Sequence, residues 1–213
     1  MTTGRTSSRD SVLTRIREAL LLKTERPIWQ DDKNSCFKRS SEPLVRCFTQ
    51  EFTRLLGTVL ICSKHDIRSI ISNLYSEKKW GKIFYSTREH KIDLRLEGLP
   101  FISDNDMHSA DAAITGCECF VARTGSVVIS SSQPSGRILS VYTPIHIVVG
   151  FTSQVVEDID DAICLLEKNY GTNFPSAISF ASGPSRTGDI EKTLVVGVHG
   201  PKEVYVLLID DSL

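Results

Sequence analysis

Arg186 stands inside the run SGPSRTGDIE, residues 182–191, where a Gly-Pro turn is followed by hydroxyls, a guanidinium and two carboxylates. Arg186 can bind a carboxylate or phosphate through two parallel hydrogen bonds, and Ser182, Ser185 and Thr187 can add donors around Gly183. A helix starting near Asp189 would aim its first N–H groups at the same anion. In the alternative reading, Thr187 or Asp189 simply caps that helix. A second candidate is ARTGSVVIS, residues 122–130, in which Thr124, Gly125 and Ser126 precede an apolar run. Such a turn offers two hydroxyls and exposed backbone N–H groups to an anion, or else it is an ordinary hairpin or strand-entry turn. The third is VVGVHGP, residues 195–201, with His199 between Gly197 and Gly200. A histidine there can act as acid or base, or donate to a substrate oxygen, or be a satisfied structural residue. His146 in TPIHIVVG carries the same choice.

Other chemistries lack their residues. The sequence contains no GxxxxGK[ST] phosphate loop, no GxGxxG fingerprint, no HExxH and no GxSxG elbow. Among the six cysteines, only Cys117 and Cys119 are close in sequence, and no second pair stands at metal-site spacing. Structural packing is the expected role of that pair, and no iron–sulfur cluster or other metal is expected on this chain alone. Reduced thiols and a cytoplasmic location are the expectation, because three of the cysteines lie in apolar runs and no secretory signal is read ahead of them.

A chain of 213 residues can bury one sizeable core. Its 40% hydrophobic and 24% charged residues are those of an ordinary globular protein. The formal net charge of −1 gives no general attraction to nucleic acid or to acidic membranes. Basic residues before position 50 alternate with Asp10, Glu18, Asp31 and Asp32, as on a solvated helical face. No apolar run approaches the roughly 18 residues of a membrane span.

These candidates must be positioned by the elements around them. Val12, Leu13, Ile16 and Leu20 recur at helical spacing behind Asp10 or Ser11 as N-cap, and EPLVRCFTQEFTRLL reads as a second helix with Pro43 near its first turn. From Thr58 short apolar runs (TVLIC, KIFYS, IHIVVG, AISFAS, TLVVGV, EVYVLLI) are separated by amphipathic segments. One is SKHDIRSIISNLYSEKKW, ended by Gly81. Another is SQVVEDIDDAICLLEKNYG, which would turn Val155, Ile159, Ala162, Ile163 and Leu166 inward and end at Gly171. Strands alternating with helices indicate an α/β fold with a largely parallel sheet. Ligands of such sheets gather where strands end at their carboxyl edge, and 182–191 follows AISFAS in that kind of loop. The expected organisation is an N-terminal helical segment, 1–57, packed on an α/β domain, 58–213, with proteases cutting first between Glu25 and Ser41.

Three segments in this order, AAITGCECFVARTGSVVI, GRILSVYTPIHIVVG and SGPSRTGDIEKTLVVGVHGP, resemble the LUD-domain family, whose namesake is lactate utilization protein C. The resemblance spans roughly 58–211. It implies a three-layer α/β/α fold like that of the ribose-5-phosphate isomerase and CoA-transferase group, and a bacterial cytoplasmic role. It also implies oxidation of L-lactate to pyruvate together with iron–sulfur and cysteine-rich partner proteins. On this reading Thr124, Gly125, Ser126, Ser182, Gly183, Ser185, Arg186 and Thr187 bind a small carboxylate or phosphate, while His199 faces the reacting atoms and Asp189 caps a helix or orients Arg186. Family members usually carry an acidic residue where this chain has Arg123. That leaves two other readings: a stand-alone enzyme on a small phosphorylated or acyl substrate, and a binding module without chemistry.

Overall fold

A computed structural model describes residues 8–21, 41–85, 101–102, 109–133, 139–187, 195–197 and 199–211. The chain divides into two compact units, 1–38 and 39–213. In the first, α1 (Ser8–Leu21) contains the periodic Val12, Leu13, Ile16 and Leu20, and Asp10 lies within its first turn rather than capping it. The stretch expected to be cut first by proteases lies outside the described residues, apart from Ser41.

The second unit runs α2 (Leu44–Arg54), β1 (Thr58–Cys62), α3 (Ile67–Lys78), β2 (Ile83–Tyr85), β3 (Phe101–Ile102), β4 (Ala112–Thr115), β5 (Cys119–Val121) and β6 (Ser126–Ser130). It continues α4 (Leu139–Tyr142), β7 (Ile145–Phe151), β8 (Val155–Val156), α5 (Ile159–Tyr170), β9 (Ile178–Ala181), β10 (Arg186–Thr187), β11 (Val195–Val196) and β12 (Glu203–Ile209). Six strands form an all-parallel sheet in the order β1-β12-β7-β4-β2-β3.

Strands buried on both faces read as near-continuous apolar runs, as in β7 apart from His146 and in β12 beyond Glu203. Along β12, Tyr205, Leu207 and Ile209 face a core completed by Ile67 and Ile71 of α3. The alternate residues Val204, Val206 and Leu208 face the opposite core, with Phe48 and Phe52 of α2 and Phe120 of β5. Helices thus cover both sides of a mostly parallel sheet, as the sequence pattern implies. The Phe48 ring lies 5.4 Å from Phe52 and 5.0 Å from Phe120.

A second sheet was not legible in the sequence. β8, β5, β6 and β9 form four strands, with β6 antiparallel to both β5 and β9. Its inner face joins the α2 core through Phe120, Val127 and Ile129, and its outer face packs Cys119, Val121 and Val128 on Ala162 and Leu166 of α5. Val155 and Val156 are therefore strand, and the helix begins at Ile159. Asp158 caps it: its carboxylate accepts from Ile159 N–H at 2.6 Å, and Asp161 accepts from Asp158 N–H at 3.1 Å. Gly171 ends it, as read. α3 stops one turn earlier than Gly81, at Lys79 in the left-handed region. Gly81 and Lys82 instead give their N–H groups to the Asp111 carboxylate, each at 2.8 Å.

Candidate functional site

Thr124 and Gly125 lie in the hairpin turn between β5 and β6, and Ser126 is the first residue of β6, paired with Val121. The turn still assembles polar groups. The Thr124 hydroxyl bonds Ser126 Oγ at 2.7 Å, and Ser126 Oγ bonds Ser182 Oγ at 2.7 Å, so two segments 56 residues apart share one hydroxyl chain. Gly125 and Gly183 have a packing reason to be glycine. Both take positive φ, 56° and 81°, and a Cβ would meet Phe52 N at 2.5 Å or Leu55 O at 2.4 Å. Together they seat the last turn of α2.

Beyond Gly183 the chain crosses the amino ends of β7 and β12. Ser185 N–H donates to Pro201 O at 2.9 Å, Gly197 N–H donates to Ser185 O at 2.8 Å, and Lys202 N–H donates to Pro144 O at 2.7 Å. Arg186 and Thr187 then pair antiparallel with Val196 and Val195. The 182–187 segment is therefore at the amino edge of the central sheet, not the carboxyl edge. The reason is topological: β9 belongs to the second sheet, antiparallel to β6, so its end does not follow the parallel strands. Arg186 is exposed on β10. Asp189 lies outside the described residues, as does the helix expected to start there.

His199 lines a hollow of about 440 Å³ at this amino edge. One wall is Val141 and Tyr142 of α4 with Pro144, and the other is the Gly197, His199, Gly200 and Lys202 turn. Lys202 and Tyr142 were not singled out from the sequence. The stem of the exposed Lys202 lies across Gly197, where a Cβ would meet Lys202 Cγ at 2.2 Å. Ser185 abuts Gly200, where a Cβ would stand 2.8 Å from Ser185 Cβ. This links the Ser182–Ser185 segment to the hollow.

The nearest carboxylate in sequence points elsewhere. Glu203 turns to the α3 face, where Lys78 Nζ donates to it at 2.7 Å and the Tyr205 hydroxyl donates to the same oxygen. Burial pushes the Glu203 carboxyl up, but those hydrogen bonds outweigh it and hold the group below its ordinary range. Its charge is thus met by Lys78.

A second hollow, about 480 Å³, opens at the carboxyl edge between Val45, Ile61, Thr152, Ser153, Asp210 and Asp211. Asp211 accepts from Thr152 Oγ1 at 2.7 Å and from Ser153 N–H at 3.0 Å. The Ser153 hydroxyl, first among these donors in its effect, holds the carboxyl below its ordinary range. Of these two hollows, the first is lined by a basic side chain, Lys202, and the second by the carboxylates Asp210 and Asp211.

The remaining polar groups are structural. Arg123 forks onto Asp158, with Nε donating to Oδ2 at 2.8 Å and Nη2 to Oδ1, which joins the β5–β6 turn to the start of α5. The Asp158 carboxylate, above all, raises the Arg123 guanidinium further above its ordinary value. His146 is buried, its Nε2 2.8 Å from Thr115 Oγ1, and burial lowers it to about 4. Glu118 accepts from Ser130 Oγ and, at 2.7 Å, from the Tyr170 hydroxyl. Cys119 is fully buried, which pushes its thiol up to about 12 and removes the thiolate needed for ligation or attack. Among the described residues no group of three or more His, Cys, Asp or Glu is placed to hold a metal, and no helix is long and apolar enough to cross a membrane.

The LUD domain family model matches residues 104–209. The chain is 31% identical to lactate utilization protein C of Bacillus pumilus, over 98% of this chain and 99% of that one. It is 36% identical to lactate utilization protein C of Bacillus subtilis over 48% and 43% of the two chains. Among solved structures, a DUF162 family protein from Deinococcus radiodurans superposes with a TM-score of 0.57 at 17% identity, covering 78% of this chain and 96% of that one. That likeness supports the α/β fold alone, whereas the end-to-end match to the Bacillus pumilus protein establishes kinship: the chain belongs to the LUD-domain family, among its lactate utilization protein C-like members.

Proposed function

We propose that this protein is a cytoplasmic component of a lactate-utilization system that holds a small carboxylate or other anion at the amino edge of its central sheet. The observation that carries this reading is the hollow itself. A lysine, a histidine and two glycines line one space, and the adjacent Glu203 carboxylate is committed to Lys78. Lys202 supplies the charge, His199 donates to the ligand, and Ser185 with the Thr124–Ser126–Ser182 hydroxyl chain lends polarity to the approach. In this reading L-lactate gives up two electrons and two protons to become pyruvate, and the electrons pass to iron–sulfur partner proteins. This chain contributes substrate binding and assembly.

A second reading has one observation in its favour. Arg123, standing where the family resemblance places an acidic residue, is bound to Asp158. Any chemistry that depended on a carboxylate there is replaced by an ion pair, so a binding module without catalysis fits this chain. Growth separates the proposal from an unrelated role. A strain lacking the gene should fail on L-lactate as sole carbon source and recover with the wild-type gene but not with Lys202→Ala. Normal growth of the deletion strain on L-lactate would overturn the pathway assignment.

A further inference from the structure

We infer that β1 is an edge for self-association: two copies of this chain pair their β1 strands antiparallel about a two-fold axis, joining their central sheets into one. β1 is the end strand of the sheet, bonded to β12 alone. Cys62 turns its carbonyl to β12, where it accepts from Asp210 N–H at 3.0 Å. Backbone groups alternate sides along a strand. Leu60 and Thr58 therefore face β12 as well, and the N–H and C=O groups of Val59 and Ile61 face outward. Among the described residues no backbone group meets them from that side. Edges that stay unpaired are guarded by lysine, proline or a bulge, whereas TVLIC has no charged residue and no proline and pairs with β12 residue for residue. Ile61 is 54% exposed there, a β-branched apolar side chain beside open backbone.

The occupant follows from the register. An axis through Leu60 sets Val59 opposite Ile61 of the copy and Ile61 opposite its Val59, so each outward N–H and C=O of these residues meets its complement. The side chains agree with the backbone. Val59 packs on the α2 core and Ile61 lines the carboxyl-edge hollow with Val45 of α2, so both lie on one face of the sheet. The pairing lays Val59 of the copy against the exposed Ile61. Leu60, packed on the α3 core, lies on the other face and meets its own copy at the axis. An unrelated strand would satisfy the backbone, but a second copy brings this matched set by symmetry.

The test is light scattering on the full chain across a dilution series, together with amide hydrogen exchange at Val59 and Ile61. The concentrated protein should have twice the 23.7 kDa of one chain and dissociate on dilution. Ile61→Lys, a charge at an exposed edge position, should raise the dimer dissociation constant by about tenfold or more, and Ile61→Val should leave it nearly unchanged. The two amides should exchange about tenfold or more slower in the dimer than in the diluted chain, which reads the edge in the unmodified protein should Ile61→Lys fail to fold. A chain that is monomeric at every concentration overturns the inference, and slow exchange at both amides in that monomer would show that another segment of the chain covers the edge. A dimer that Ile61→Lys does not weaken, or that leaves the Val59 and Ile61 amides unprotected, pairs through another surface and overturns it too.

Discussion

The Arg123 guanidinium and the Asp158 carboxylate meet face to face, Nε to Oδ2 at 2.8 Å, at the point where the β5–β6 turn touches the first turn of α5. Asp158 also caps that helix, so one carboxylate serves two structural purposes.

The pair is about 30% exposed on each side, 31% and 26%, so solvent screens part of its attraction. Its coupling in a double-mutant cycle should be about 1 kcal/mol. Asp158→Ala should cost more than Arg123→Ala, by the roughly 1 kcal/mol of a lost N-cap. Equal losses from the two single variants, measured by urea unfolding, would contradict the dual role of Asp158.

Acid should find His146 before it finds the carboxylates. The folded histidine stays neutral down to about 4, while the unfolded one protonates near 6.5. Between those values the unfolded state holds the extra proton, so stability falls as the pH drops and levels off below about 4. Across the full window the loss is about 3 kcal/mol. Replacing His146 with Gln should flatten the stability profile between pH 6.5 and 4, whatever it does to stability at neutral pH. An unchanged slope in that window would show that His146 is not the acid-sensitive group.

Phe120 bridges the two sheets. Its ring packs at a tilt against Phe48, and it fills the space above Gly150, where a Cβ would stand 2.5 Å from its ring. Phe120→Ala should cost about 3–5 kcal/mol. Arg186→Ala, on an exposed residue, should change stability by no more than about 0.5 kcal/mol. Thermal unfolding would register the first as a fall of about 6–20 °C. A shift of only a degree or two for Phe120→Ala would mean that the sheets do not share this core.

These differences trace what a sequence can disclose. β7 and β12, seven residues each, were legible because strands buried on both faces are rich in apolar runs, Ile147–Phe151 in the first and Val204–Ile209 in the second. The second sheet was not, since β8 has two residues and β5 three. Val155 and Ile159 also fall four apart and imitate a helical face. Gly125 and Gly183 read as parts of an anion cradle because a local pattern shows positive φ and hydroxyls; their actual neighbour, the end of α2, is a long-range partner. The candidate site showed the same limit. His199 was visible as a histidine between glycines, but Lys202 joins it only because the turn lays its stem over Gly197, and Tyr142 only because α4 lines the same hollow.

Arg186 is where the sequence and the fold part most in magnitude. A buried arginine–anion pair would lose about 2–5 kcal/mol of binding on truncation. The exposed position of Arg186 on β10 reduces the expected loss to about 1 kcal/mol or less. Lys202 is exposed as well but lines the hollow, so Lys202→Ala should cost more than Arg186→Ala, tenfold or more in affinity, about 1.4 kcal/mol. The reverse ranking would move the site from the 197–202 turn back to the β10 strand.

On the proposed function, a small anion binds at the amino edge of the sheet beside Lys202 and His199. The most direct measurement is thermal unfolding of the wild type and of Lys202→Ala with L-lactate, pyruvate and phosphate, each raised through saturation. A ligand at 100 times its dissociation constant should add about 2.7 kcal/mol to the wild type, a rise of roughly 5–11 °C for a chain of this size. The rise should shrink or vanish in Lys202→Ala and persist in Asp211→Asn at the opposite edge. A rise of equal size in wild type and Lys202→Ala, or one abolished by Asp211→Asn instead, would contradict the placement of the site.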